Sequence, residues 1–255
     1  MNASKGHFFS DTAVMLGRSM RHILRSPDTI ATSVVMPAAV MLMVVYVFGG
    51  AISVPGGSYV DYMLPGIMLM TVATGVTYTA YRMFNDKKLG IFDRFRSMPI
   101  AQSSPLWGNV ISSLAANVLS VAIVVAVALL IGFRSSAGLL SWLAVAGLIV
   151  LFMLALTWVA VIAGTAAKTS DGATAFSYPL IFLPFVSSAF VPTDTMPWAL
   201  RVFAENQPVT PLVNTIRSLL EGQPLGDDLW IAIVWCVGIL LVAVVVAVRV
   251  YRRAA

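Results

Sequence analysis

Charge is what this sequence has least of. Only 11% of its 255 residues are Asp, Glu, Lys or Arg, and they leave six long stretches empty. No Asp, Glu, Lys, Arg or His lies between Asp28 and Asp61, Asp61 and Arg82, Arg96 and Arg134, Arg134 and Lys168, Asp171 and Asp194, or Asp228 and Arg249. A hydrocarbon core is about 30 Å thick and takes roughly 20 apolar residues of helix to cross. Every gap can supply that, with Asp171–Asp194 close to the limit. Soluble folds are excluded. Cysteine is as scarce: Cys236 stands alone. No intrachain disulfide framework is possible, and no Cys/His metal spacing exists. HExxH, GxSxG and the phosphate-binding GxxxxGK[ST] are all missing, which removes the usual signatures of metalloprotease, serine hydrolase and P-loop ATPase. No apolar run precedes residue 28, so no cleavable signal peptide is expected.

Hydrophobic residues make up 59% of the chain, and its mean hydropathy is +0.89. A bilayer admits only helices or a closed barrel. Val118–Ile131 is apolar on every side rather than alternating, so helices are expected. The predicted spans are Thr29–Phe48, Tyr62–Tyr81, Gly108–Gly132, Leu140–Ala166, Ala173–Val191 and Leu229–Val248. Thirteen of the 16 basic residues then fall on one side: Lys5, Arg18, Arg21, Arg25, Arg82, Lys87, Lys88, Arg94, Arg96, Lys168, Arg249, Arg252 and Arg253. Arg134, Arg201 and Arg217 fall on the other. The positive-inside rule places both termini in the cytoplasm. The net charge of +5 thus records topology rather than nucleic-acid binding.

Three connecting segments carry pattern. In 7–25, Leu16, Met20, Ile23 and Leu24 form one helical stripe and Arg18, Arg21 and Arg25 another. This predicts an amphipathic helix in the inner interface, the alternative being a basic tail with no helical role. In 82–107, Ile91 or Phe92, Phe95 and Met98 share a face, with Asp93, Arg94 and Arg96 away from it and Gly90 and Pro99 at the ends. Such a face suits docking of a soluble partner or rest on the membrane surface, and the residues alone leave both open. In 192–228, helices are expected at Met196–Ala204 and Val209–Leu220, split by Gln207-Pro208. Their length and polarity suit interfacial or re-entrant helices, the alternative being an ordinary capped outer loop. Pro179 and Pro184 interrupt the span before them.

No span holds an ionisable residue at mid-depth, which argues against proton-coupled carriers and voltage sensors. Uncharged polar faces remain: Thr71, Thr74, Tyr78 and Tyr81 in the second span, and Asn109, Ser113, Asn117 and Ser120 in the third. In lipid these groups bond across helices, line a cavity, or bond back to the preceding turn. Asn117 cannot satisfy its whole amide within its own helix.

The segment order, with Asp93-Arg94-Phe95-Arg96-Ser97-Met98-Pro99-Ile100 in the inner loop, resembles the permease subunits of type-2 ABC exporters, in particular the daunorubicin-resistance-like branch. So do Ser188–Pro192, Met196-Pro197 and Asn206–Thr210 on the outer side. Met98 stands where that pattern usually has Leu, and Gln207 is an insertion relative to it. The resemblance covers the whole chain and implies an all-α polytopic membrane protein in a prokaryotic plasma membrane. Its parts would be six transmembrane helices, an interfacial N-terminal helix, a cytosolic coupling helix between spans two and three, and re-entrant outer helices between spans five and six. It implies one permease domain, 1–255, working with two copies of a separate ABC ATPase that binds ATP and Mg, and with a second permease chain, identical or paralogous. This chain itself would hold no cofactor, metal or catalytic residue. Ile91, Phe92, Asp93, Arg94, Phe95, Arg96, Met98 and Pro99 would couple to the ATPase. Thr71, Thr74, Tyr78, Asn117, Phe185 and Ser188 would line the path of a hydrophobic or amphipathic drug, lipid or natural product. Phe190, Pro192, Trp198 and Pro208 would close its outer end. A passive channel or lipid scramblase, or a membrane anchor for a cytosolic protein, is the rival expectation.

Overall fold

The computed structural model describes residues 27–48, 58–91 and 104–254, and no strand occurs among them. Helix α1 runs Pro27–Met43 and ends in a π turn, Val44–Phe48. Then come α2 (Tyr59–Lys88), α3 (Ser104–Ile131) and α4 (Leu139–Ala166). Two six-residue helices follow, α5 (Ser170–Ala175) and α6 (Ser177–Phe182), and a 3-10 turn at Leu183–Val186. The outer segment contributes α7 (Trp198–Asn206) and α8 (Val209–Glu221), and the chain closes with α9 (Asp228–Ala254). The expected helices in 7–25 and around Phe92–Met98 lie outside the described residues.

Four described helices are long and apolar enough to cross a bilayer: Tyr59–Lys88, Trp107–Ile131, Leu139–Ala166 and Asp228–Arg249. At 1.5 Å per residue, α2 is about 45 Å long. Val34–Val47 is apolar but shorter. The helix that holds the second span runs on past Tyr81 through Arg82–Lys88. The segment Ala173–Val191 is interrupted at the expected prolines and divides into α5, α6, the 3-10 turn and irregular backbone. The proline positions explain this. A proline ring clashes with the carbonyl four residues back, and the carbonyl four before Pro179 is that of Ala175, where α5 ends. Pro184 then leaves a second donor missing at the start of the 3-10 turn.

Helix α2 is the hub, packed by α1, α3, α4, α5, α6 and α8, whereas α9 packs on α4 and α8. Its Met63, Leu64, Ile67, Leu69, Met70 and Val72 are fully buried. Without a hydrophobic drive in lipid, such helices associate through close backbone approach at small residues. A Cβ on Gly164 of α4 would sit 2.4 Å from the Ala80 carbonyl oxygen of α2, and one on Gly66 would sit 2.4 Å from Ala189 Cβ.

Polar contacts divide the ends of the bundle. At one end the backbone N–H of Arg134 donates to Asp61, and Ser135 and Ser136 donate to the carbonyls of Leu220 and Glu221. Those carbonyls belong to the last turn of α8 and have no intrahelical partner. Gly222 ends that helix in the left-handed conformation, φ 69°, which a residue with Cβ adopts only with strain. At the opposite end Lys87 Nζ donates to the Thr165 carbonyl at 2.6 Å, a cation on the negative end of α4.

Candidate functional site

Between residues 71 and 81 the exposure of α2 is confined to Thr74, Gly75, Thr77, Tyr78 and Tyr81. At 100° per residue these share one face, so an otherwise interior helix opens a single polar strip. Thr71, Thr74 and Thr77 donate to the carbonyls of Ile67, Met70 and Ala73 at 2.7, 2.9 and 3.1 Å. Their hydroxyl protons are thus satisfied within the helix, which lowers the cost of facing lipid or an apolar ligand. Thr71 is fully buried and does not reach the strip. Tyr78 and Tyr81 carry it on, with ring centroids 6.3 Å apart.

Asn117 of α3 is buried and lies over the missing side chain of Gly75: a Cβ there would be 1.8 Å from Asn117 Oδ1. Its Nδ2 donates to the Ser113 carbonyl at 3.1 Å, while Oδ1 has no hydrogen-bond partner. It sits between α2 and α3, under the strip.

The second cluster is the irregular stretch 183–190. Backbone groups that leave regular helix inside a membrane protein need partners, and here side chains supply them. Gln207 Nε2 donates to the carbonyls of Leu183 and Val186. Ser187 bonds Pro184 at 2.7 Å, Arg217 bonds Ser188 at 2.8 Å, and Tyr59 Oη bonds Phe190 at 3.0 Å. Gln207, at the corner between α7 and α8, thus ties the 3-10 turn together with Ser187. Phe190 is buried, and Phe185 stacks on it at 4.7 Å with an exposed edge. Ser188 is buried and donates to Asn214 Oδ1 at 2.7 Å. Pro192 accepts from Thr195 at 2.8 Å, and Pro208 is the residue before α8. Trp198 opens α7 with 80% of its surface exposed, apart from these contacts.

Arg217 of α8 is the centre of this end. Its Nε and Nη2 donate to the Tyr62 carbonyl at 3.2 and 2.9 Å, and its guanidinium lies 3.7 Å from the centroid of the Tyr62 ring. Asn214 extends the network by donating to Asp228 Oδ2 at 3.0 Å. Burial lowers the Arg217 pKa from its ordinary value, while Tyr62 and Glu221 raise it; burial likewise pushes the Glu221 carboxyl up, against the pull of Arg217. A cleft of about 450 Å³ opens here between Tyr62, Ser188, Asp194, Asn214, Arg217 and Glu221. A second hollow, of about 300 Å³, is apolar and lies between α3 and α4, lined by Val121, Val125, Trp142 and Met153.

The predicted path residues thus fall into two groups, the α2–α3 set and the 183–190 set. Of the coupling residues only Ile91 is described, half-buried beyond α2; Phe92, Asp93, Arg94, Phe95, Arg96, Met98 and Pro99 lie outside the described residues. Sequence reasoning counted Arg217 as outer charge and passed over Tyr59, Tyr62, Asn214 and Gln207 as partners. The one available signal was the departure at Gln207.

Four described helices long and apolar enough to cross a bilayer, packed around a central helix with one polar strip, define a polytopic helical membrane protein. The chain belongs to the ABC-2 type transporter family, which it matches over residues 10–220. It is 30% identical over 248 residues to a daunorubicin resistance ABC transporter permease protein of Streptomyces coeruleorubidus, covering 96% of this chain and 87% of that one. It is 24% identical over 253 residues to a probable doxorubicin resistance ABC transporter permease protein of Mycobacterium tuberculosis, covering 97% of this chain and 90% of the relative. It is a multi-pass permease subunit of an ABC transporter, a family whose permeases act with an ATPase subunit.

Proposed function

We propose that this chain forms the transmembrane path of an ATP-driven exporter for amphipathic drugs or comparable hydrophobic compounds. Its permease relatives are named for resistance to daunorubicin and doxorubicin. The observation that carries the reading is the strip Thr74, Gly75, Thr77, Tyr78 and Tyr81, the one opening on a helix that is otherwise interior between residues 71 and 81. Its threonine hydroxyl protons are spent within the helix, so the strip presents methyl groups, weak acceptors and two tyrosine rings rather than charge. An amphipathic molecule finds partners for both its halves there. A small ion meets an uncompensated desolvation cost.

The chain crosses the membrane six times, with α1 and the broken 173–191 segment as first and fifth crossings and both termini in the cytoplasm. The asymmetry of basic residues supports this orientation. So does the division of ends, with Asp61, Arg134, Ser136 and Glu221 at one and Lys87 and Thr165 at the other. The outer pair α7 and α8 re-enters and closes the path, with Phe190, Pro192, Trp198 and Pro208 at its edge. Ile91–Pro99 docks on the ATPase, which binds ATP and Mg. Two ATPase copies and a second permease chain, identical or paralogous, complete the assembly. ATP hydrolysis by the reconstituted complex, scanned with hydrophobic drugs, lipids, sugars and simple ions, tests this. Stimulation by apolar cationic drugs, reduced in Thr74→Gln at unchanged expression, is expected. Stimulation by ions or sugars alone contradicts it.

A further inference from the structure

At the end of α2 that leads into residues 92–103, one α3 side chain reads two α2 charges at once. Asn109 Oδ1 accepts from Arg82 Nη2 at 2.6 Å, and its Nδ2 faces Asp86 Oδ2 at 3.4 Å and Met83 Sδ at 3.4 Å. Arg82 and Asp86 stand four residues apart, one above the other on α2. An amide is suited to this place because it offers an acceptor and a donor together. A slip of α2 against α3 by one residue, about 1.5 Å, carries the Asp86 contact out of hydrogen-bond range and stretches the Arg82 bond. Eight residues further along α3, Asn117 seated over Gly75 fixes the same register a second time. Helix α4 is tied in at the same level: Lys87 holds the Thr165 carbonyl, Gly164 lies against Ala80, and Trp107 meets Trp158 edge-on at 5.4 Å.

We infer that Asn109 is a positioning residue for coupling: by clamping Arg82 and Asp86 it makes α2, α3 and α4 one rigid block, so that force applied between α2 and α3 moves the Thr74–Tyr81 strip instead of sliding the helices. The inference rests on the reading that the ATPase docks on residues 91–99. The block includes both roots of that segment and the strip itself, so a stroke at one end arrives at the other without loss in the interface between α2 and α3. Without the clamp the ATPase still docks and turns over, but part of each stroke is spent in slippage.

The test uses the full chain purified with its ATPase and reconstituted in vesicles, with daunorubicin as the probe. Three quantities are read: ATPase retained per permease, basal hydrolysis, and drug moved per ATP hydrolysed. Asn109→Leu removes both arms at similar volume. It should keep assembly and basal hydrolysis within about twofold while drug moved per ATP falls roughly tenfold, the scale of losing one hydrogen bond to a charged group. Asn109→Gln, which keeps donor and acceptor, should recover most of the loss. Asn109→Asp, which keeps the acceptor but meets Asp86 with like charge, should not. Unchanged drug per ATP in Asn109→Leu overturns the inference. If that variant does not assemble, the other two decide, and equal drug per ATP in Asn109→Gln and Asn109→Asp overturns it. Failure of the unaltered chain to retain any ATPase strikes the docking reading instead.

Discussion

Replacing Arg217 by methionine tests whether the outer segment is held by this half-buried cation. The guanidinium serves two backbone carbonyls, Tyr62 and Ser188, and covers the Tyr62 ring. A hydrogen bond to a charged group contributes about 1.5–3 kcal/mol, and a buried carbonyl left unpaired costs about 1–3 kcal/mol. The contact with the ring adds about 1–2 kcal/mol. Against these stands the desolvation of the cation, several kcal/mol that methionine relieves. The balance should be a loss of about 2–4 kcal/mol. At roughly 2–4 °C per kcal/mol for a chain of this size, apparent Tm falls on the order of 10 °C. Arg217→Lys should fall between, because an ammonium keeps the charge but loses the fork that reaches two carbonyls. Thermal unfolding of the purified complex, followed by loss of the monodisperse peak, reads the effect. Labelling of a cysteine placed at Ser188, in a Cys236→Ala background, should rise in Arg217→Met as the stretch loosens. A methionine variant as stable as the parent, with unchanged Ser188 labelling, would refute the reasoning and assign the closure to apolar packing alone.

Other perturbations probe separate parts. Gly164→Leu places atoms where Ala80 backbone already is, so it should cost about 1–3 kcal/mol or more and reduce folded yield, read by fluorescence-detected chromatography. With Cys236 replaced, single cysteines at Ser58, Ser136 and Gly222 should react with an impermeant thiol reagent on intact cells, and those at Gly90 and Ala254 only after permeabilisation; the reverse pattern overturns the orientation. Phe92→Ala and Phe95→Ala should each weaken ATPase retention by about 2 kcal/mol while insertion is unchanged, and full retention in both would make 91–99 a plain connector.

How much of this was legible in the sequence depends on the range of the interaction. The charge-free stretches located α3 and α4, and the starts of α2 and α9, to within a few residues because span length is set by the bilayer. The 3.6-residue spacing of Leu212, Ile216, Leu219 and Leu220 located α8, and all four are buried. Pro179 and Pro184 announced a break that span-counting smoothed over. The continuation of α2 to Lys88 was hidden because charge was read as the end of a span, whereas Arg82 and Lys87 find partners on α3 and α4. The groups that hold 183–190 were beyond reach for a different reason. Tyr59 meets Phe190 across 131 positions and Arg217 meets Tyr62 across 155, and no local pattern encodes such pairs. Asn109 and Asn117 were visible as one polar face, but which α2 residues they meet depends on a register only the packed bundle defines.

The central claim is that this chain carries an amphipathic substrate outward only when an ABC ATPase drives it. The direct measurement is daunorubicin flux in inverted vesicles holding the chain alone, the chain with its ATPase, and the chain with an ATPase unable to hydrolyse ATP. The account predicts ATP-dependent accumulation in the second preparation only, reduced in Thr74→Gln. Flux of equal size through the chain alone, indifferent to ATP, would contradict it and leave a passive pore in its place.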